Sequence, residues 1–108
     1  MIYSKEMEFY LNDLIDILFY NDYFSYKENA ENYVLKLKNE IESVISLKKN
    51  WTAPKKFQNY GKKYIVVSIT QRTSWFVFFD QKANRYLIQY ITNNHVEESK
   101  ALISNLQR

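Results

Sequence analysis

Cysteine is absent from the 108 residues, and glycine, proline and histidine occur once each, at Gly61, Pro54 and His95. Without cysteine there is no disulfide, no thiolate metal site and no thiol nucleophile. A single histidine argues against a histidine-built metal centre within one chain. One glycine excludes the Rossmann and P-loop cradles, which need several glycines where the backbone closes on phosphate. No apolar run approaches the ~20 residues of a membrane-spanning helix. The N-terminus lacks the basic stretch, apolar run and small-residue cleavage site of a secretory signal. The expectation is one cytoplasmic domain over residues 1–108, with no membrane association, metal or cofactor.

What the chain does have is segregated charge. Met1 to Leu47 carries four lysines against nine acids, a net of −5. Lys48 to Arg85 carries nine basic residues against the single acid Asp80, a net of +8, and the remainder to Arg108 is neutral. A net charge of +3 therefore hides an acidic front and a basic middle. A basic stretch with interleaved aromatics is the electrostatic footprint of a polyanion-binding surface, most often for nucleic acid. Aromatic residues make up 18 % of the chain, ten of them tyrosine. An AT-rich coding sequence yields the same excess of Tyr, Phe, Asn, Lys and Ile as selection for stacking does, so the number alone does not choose between them.

Periodicity orders the elements. Ile2-Tyr3 reads as a very short strand, with Ser4 placed to cap a helix. Met7, Leu11, Leu14, Ile15 and Leu18 fall at helical spacing over Lys5–Tyr20, and Glu6 and Glu8 suit the positive end of that helix. Asn21–Phe24 reads as a turn. Ser25-x-x-Glu28 has the form of a capping box, opening a second helix with the stripe Ala30, Tyr33, Val34, Leu37, Ile41, Val44 and Ile45. So short a turn implies an antiparallel hairpin of helices. Lys48–Lys63 is a polar connector. Strands are expected at Tyr64–Thr70, Trp75–Phe79 and Arg85–Thr92, joined by hairpins over Gln71–Ser74 and Asp80–Asn84. Asn94-x-x-Glu97 resembles an N-cap for a last helix, Val96 to about Leu106. The fold class is α+β: an N-terminal helical hairpin packed on an antiparallel β-meander, with a short C-terminal helix. The helices cover one sheet face and leave the other, or its rim, for function.

The cations that could hold a polyanion are Lys48, Lys49, Lys55, Lys56, Lys62 and Lys63, with Arg72 at one strand turn and Arg85 in the next. Each phosphate contact adds counterion release, although solvated loop lysines serve solubility equally well. Trp51 and Phe57 suit core packing, whereas Tyr60 could pack or stack on a base. His95 is the one side chain that exchanges a proton near neutral pH without perturbation; it also suits an ordinary exposed position. No Ser/His/Asp set and no pair of carboxylates stands out on the basic stretch.

The run Lys63-Tyr64-Ile65-Val66-Val67-Ser68, then Trp75-Phe76-Val77-Phe78-Phe79, then Tyr86-Leu87-Ile88-Gln89-Tyr90-Ile91 ending in Asn93-Asn94-His95, preceded by a helical hairpin and a basic connector, resembles the RelE/ParE toxin superfamily of type II toxin–antitoxin (plasmid stabilisation) systems. The resemblance covers nearly the whole chain and lies in element order, charge placement and strand form rather than in a diagnostic motif. It implies a growth-inhibiting toxin with a cognate antitoxin, acting as a metal-independent endoribonuclease (mRNA interferase) on mRNA at the ribosome. The family also includes inhibitors of DNA gyrase that lack nuclease activity, and a catalytically silent binding module is a third reading. In the nuclease chemistry the RNA 2′-OH attacks the adjacent phosphate, which calls for a base, cations for the phosphorane and an acid for the leaving oxygen.

Carried onto this chain, the resemblance implies catalytic roles for Arg72 at the phosphorane, His95 as acid, and Lys62 and Lys63 at the phosphate or base step. It puts Tyr90 near the place of a base-stacking aromatic; Lys55, Lys56, Tyr60 and Arg85 are expected nucleic-acid contacts from the basic, aromatic-interleaved pattern itself. The apolar strand Trp75–Phe79 departs from the family in carrying no catalytic cation, and Asp80 is the only acid near the basic region.

Overall fold

The stretch Trp75-Phe76-Val77-Phe78-Phe79 has no polar member, so both faces of its strand need covering. The computed structural model, which describes residues 1–20, 25–47, 49–70, 72–96, 99 and 102, covers both. The chain is α+β, with two N-terminal helices and a five-stranded sheet.

Helix α1 spans Lys5–Tyr20 and buries Met7, Leu11 and Leu14. Its start is capped by Ser4, whose Oγ accepts from the Met7 N–H at 3.1 Å, satisfying one donor the helix leaves open. Helix α2 spans Lys27–Val44 and buries Ala30, Val34, Leu37 and Ile41. It begins later than the capping box requires. Tyr26 is the N-cap and makes no side-chain cap bond, so Ser25 and Glu28 form no such pair. The ion pair of Lys27 with Asp16 at 3.5 Å, and Lys38 over the Tyr3 ring at the other end, set α2 running back along α1. The expected turn Asn21–Phe24 lies outside the described residues.

The strands are β1 (Ile2–Tyr3), β2 (Trp51–Thr52), β3 (Lys63–Ser68), β4 (Ser74–Lys82) and β5 (Arg85–Asn93), in the order β1-β5-β4-β3-β2. The expected antiparallel meander is present as β3-β4-β5. The sheet as a whole is mixed, because β1 pairs parallel with β5, Ile2 opposite Leu87. The connector is also more structured than its polarity suggests. Trp51 pairs opposite Tyr64, and a 3-10 helix covers Lys55–Tyr60.

Alternation along the strands sorts the apolar residues into two layers. Trp75, Val77 and Phe79 of β4, with Ile65, Val67, Ile88 and Ile91, meet the helices. Phe76 and Phe78, with Tyr64, Ala53, Phe57 and Leu102, form a second cluster on the other face. That face is therefore not left open, as the helix-on-one-side reading expects: the 3-10 helix and Leu102 cover its centre. Of the expected last helix, only Val96, Ser99 and Leu102 lie among the described residues.

Two backbone positions are demanding. Gly61 has φ +149°, and a Cβ there would stand 2.7 Å from the Phe79 amide nitrogen. The turn between β4 and β5 is two residues, Ala83-Asn84, with Ala83 at φ 55°. Tight hairpins use this left-handed geometry, which costs a residue with a Cβ about 1–2 kcal/mol. Gly61→Ala should lower unfolding stability by about 1–3 kcal/mol, and Ala83→Gly should raise it by up to ~1 kcal/mol; urea unfolding of the two variants checks both signs.

Tyr3 sits under α2, its hydroxyl donating to Glu42 Oε1 at 3.5 Å. Burial first, and the neighbouring carboxylate second, push its ionisation above the ordinary value of 10.0. The folded state thus holds this proton more tightly than the unfolded chain. Its contribution is full below the unfolded phenol pKa and is lost as pH rises above it towards the raised value. Tyr3→Phe should flatten the decline in urea midpoint between pH 9 and about 11.

Candidate functional site

The link between β3 and β4 is rich in hydroxyls, and it folds on them. Thr70 Oγ1 accepts from the backbone N–H of Arg72 at 3.3 Å and of Thr73 at 3.2 Å, a side-chain-mediated turn. The end of β5 then locks onto this turn. The Asn94 side chain accepts from the Ser74 N–H at 3.0 Å and donates to the Arg72 carbonyl, also at 3.0 Å. The Asn94 N–H donates to the Ser74 carbonyl at 3.1 Å. Asn94 thus cross-links two strand ends; Glu97, its expected capping partner, lies outside the described residues.

Next to it, the His95 N–H donates to Asn93 Oδ1 at 2.9 Å. The imidazole Nε2 shares a 3.0 Å hydrogen bond with Thr73 Oγ1, whose direction follows the tautomer. Arg72 and His95 therefore belong to one exposed rim.

Behind this rim is a cleft of about 320 Å³ between the C-terminal half of α1, Tyr33 of α2 and the sheet end. Tyr10, Leu14, Leu18, Trp75, Thr73 and His95 are among its lining residues. At its base, the Trp75 indole N–H donates to the Tyr33 hydroxyl at 2.9 Å. Burial raises the Tyr10 phenol pKa above its ordinary value.

Lys62 and Lys63 are not part of this rim. Lys63 pairs opposite Phe79, whereas the Arg72 turn follows the pair Ser68–Ser74. Five residue steps at ~3.4 Å separate the two ends by about 17 Å. Nor do the two lysines share a face: Lys63 lies on the helix side, in register with Phe79, and Lys62 precedes it on the alternating pattern. The four residues expected to act together are split into Arg72 with His95 at one end and the lysines at the other, because β3 runs its full length between them.

The lysine end has its own architecture. A register shift between Phe78 and Phe79 leaves Gln89 as the extra residue of β5, since Tyr90 faces Phe78 and Ile88 faces Phe79. The Gln89 amide donates to Asp80 Oδ2, and the Lys62 N–H donates to Oδ1 at 2.9 Å. Asp80, the one acid of the basic region, is thereby used as a structural tie on both oxygens. Tyr60 stacks on Tyr90 with ring centroids 4.1 Å apart, and Phe57 stacks on Phe78 at 5.2 Å. Lys55 and Lys56 open the 3-10 helix above them and are exposed, with the Lys56 ammonium over the Phe57 ring. Arg85 pairs opposite Lys82 at the hairpin tip and is also exposed. The nucleic-acid residues expected from sequence thus gather at the lysine end, Tyr60 and Tyr90 in direct contact.

Thr70, Thr73, Asn94 and Tyr33 carry the His95 end, and none is singled out by sequence for that role. The hydroxyl-rich run Ile69-Thr70-Gln71-Arg72-Thr73-Ser74 beside Asn93-Asn94 is the available signal. Replacing Asn94 with Ala removes two side-chain hydrogen bonds worth about 0.5–1.5 kcal/mol each. The expected outcome is a drop of about 1–3 kcal/mol in urea unfolding stability, with amide exchange accelerated at Ser74 while the β3–β4 pairs near Lys63 keep their protection.

Among the described residues no cluster of His, Asp or Glu could hold a metal, and no helix is long and apolar enough to cross a membrane. Comparison with known proteins finds no matching family model, no matching curated protein and no matching solved structure.

Proposed function

We propose that this chain is a RelE/ParE-like toxin that acts on RNA as a metal-independent endoribonuclease, with Arg72 and His95 as its chemical pair. The observation that carries this reading is the Asn94 cross-link, which holds the carbonyl of Arg72 and the start of β4 beside the residue preceding His95. A cation and an imidazole on one rim are what the transesterification of RNA asks of a protein. The 2′-oxygen bonds to phosphorus, its proton passing to water, and the P–O5′ bond breaks. His95, charged, gives its proton to the departing 5′-oxygen, and Arg72 offsets the extra negative charge on the phosphorane. The His95–Thr73 bond orients the ring for this transfer.

Lys62 and Lys63 take a binding role here rather than a catalytic one. With Lys55, Lys56 and Arg85 they supply exposed cations along the path of an RNA strand, and the Tyr60–Tyr90 pair supplies a stacking surface. An acidic or amphipathic antitoxin segment, folding as it binds, suits the same basic surface.

One observation favours a second reading. Among the described residues no carboxylate hydrogen-bonds His95, and Asp80 is tied at the far end, so among them no carboxylate is placed as a base for the 2′-OH. That suits a gyrase-directed inhibitor or a silent binding module, neither of which needs a base.

Induced expression with metabolic labelling separates them. The nuclease reading expects rapid arrest of protein synthesis, relieved by either His95→Ala or Arg72→Ala. Arrest of DNA synthesis that ignores His95→Ala would transfer the reading to gyrase, and absence of any growth effect would leave the binding module. The double substitution Lys62→Ala with Lys63→Ala should weaken RNA binding across sequences. It should also reduce the salt slope by about 1 for each phosphate no longer neutralised, without relieving His95-dependent cleavage at saturating RNA.

A further inference from the structure

We propose that the cleft behind His95 is a nucleobase pocket, receiving the base next to the phosphate held at the Arg72–His95 rim. The inference rests on the RNA-directed reading above and assigns that site its substrate contact. Three observations carry it.

The first is size. At about 320 Å³, the cleft reaches the ~300 Å³ lower range of pockets that take small organic ligands. The second is chemistry. Among the described residues no acid, lysine or arginine lines it, in contrast to the groove between α1 and α2, which Glu8, Glu31 and Lys38 line. An uncharged cleft takes the uncharged part of a ligand. Tyr10 and Tyr33 offer ring surface, Leu14 and Leu18 offer apolar walls, and polar groups stand at the mouth. Extruded bases are held in this way, stacked against aromatic or apolar side chains and read at their edges. The Tyr10 hydroxyl, on a residue that lines the cleft, is a donor for such an edge.

The third is continuity. His95 and Thr73 line the cleft, and they are hydrogen-bonded to each other on the rim that carries Arg72. A nucleotide with its base inside thus presents its phosphate where the cation and the imidazole are. The Tyr60–Tyr90 stack cannot take this part, because Tyr90 packs with Phe78 on the other face of the sheet, away from the helix side where Trp75 lines the cleft.

The chain has two tryptophans, Trp51 and Trp75, so Trp51→Phe leaves Trp75 as the sole reporter at the cleft. Titration of this variant with AMP, GMP, CMP and UMP, and with ribose 5-phosphate as the base-free control, tests the proposal. At least one mononucleotide should change Trp75 emission saturably while ribose 5-phosphate does not. Tyr10→Phe should weaken that response several-fold, and Leu18→Phe, which fills the cleft, should abolish it. In the unaltered chain, the Trp75 indole N–H resonance should move with the same nucleotides. No response to any mononucleotide in either experiment, or an equal response to ribose 5-phosphate, would overturn the pocket. If growth arrest depends on His95 while no nucleotide reaches Trp75, only this inference fails. Base-dependent binding without any growth effect would retain the pocket and remove the toxin reading.

Discussion

A strand with apolar side chains on both faces cannot sit at a protein surface, and β4 is such a strand. Trp75 to Phe79 are all buried, and burying each large side chain contributes roughly 1.5–3 kcal/mol. The arrangement of the other elements comes from covering it. The helix pair lies over Trp75, Val77 and Phe79, while the 3-10 helix and Leu102 lie over Phe76 and Phe78. β3 and β5 flank it and satisfy its backbone groups on both sides. Even the single glycine belongs to this requirement, since Gly61 brings the connector against the Phe79 backbone more closely than a Cβ permits.

Covering the centre of the sheet pushes polar chemistry to its ends. Where strands stop, backbone donors and acceptors lose their ladder partners and must find others. At one end Thr70 and Asn94 provide them, and in doing so they draw Arg72, Thr73 and His95 into one rim. At the other end Asp80 provides them for Lys62, assisted by the bulge that frees Gln89. The same structural need brings Arg72 and His95 to one rim in one place, and engages both oxygens of Asp80 in the other.

The α+β class, both helices and all three long strands were legible in the sequence, because each rests on a repeat of hydrophobicity within one segment. Elements that depend on partners were less so. β2 is two residues long, and only its pairing with Tyr64 and Lys63 makes Trp51-Thr52 a strand. The capping box at Ser25 had the right letters, but Tyr26 is the N-cap and α2 starts at Lys27, while its buried stripe keeps the expected phase. The mixed character of the sheet was hidden for the same reason: nothing in Ile2-Tyr3 says which strand it will lie beside, or in which direction.

By itself the sequence determined the periodicities, the segregation of acid from base, and the exclusions that come from having no cysteine and one each of glycine, proline and histidine. These are properties of composition and of neighbours along the chain. The tertiary structure alone decided which distant residues meet. Asn94 joins a turn 22 residues earlier, and the Tyr10 and Tyr33 side chains reach the same cleft as His95. It also decided which residues do not meet, parting Lys62 and Lys63 from Arg72 although little more than one strand lies between them. A strand extends what it carries along its axis, and only the register of its pairing, with one bulge in it, sets what stands opposite.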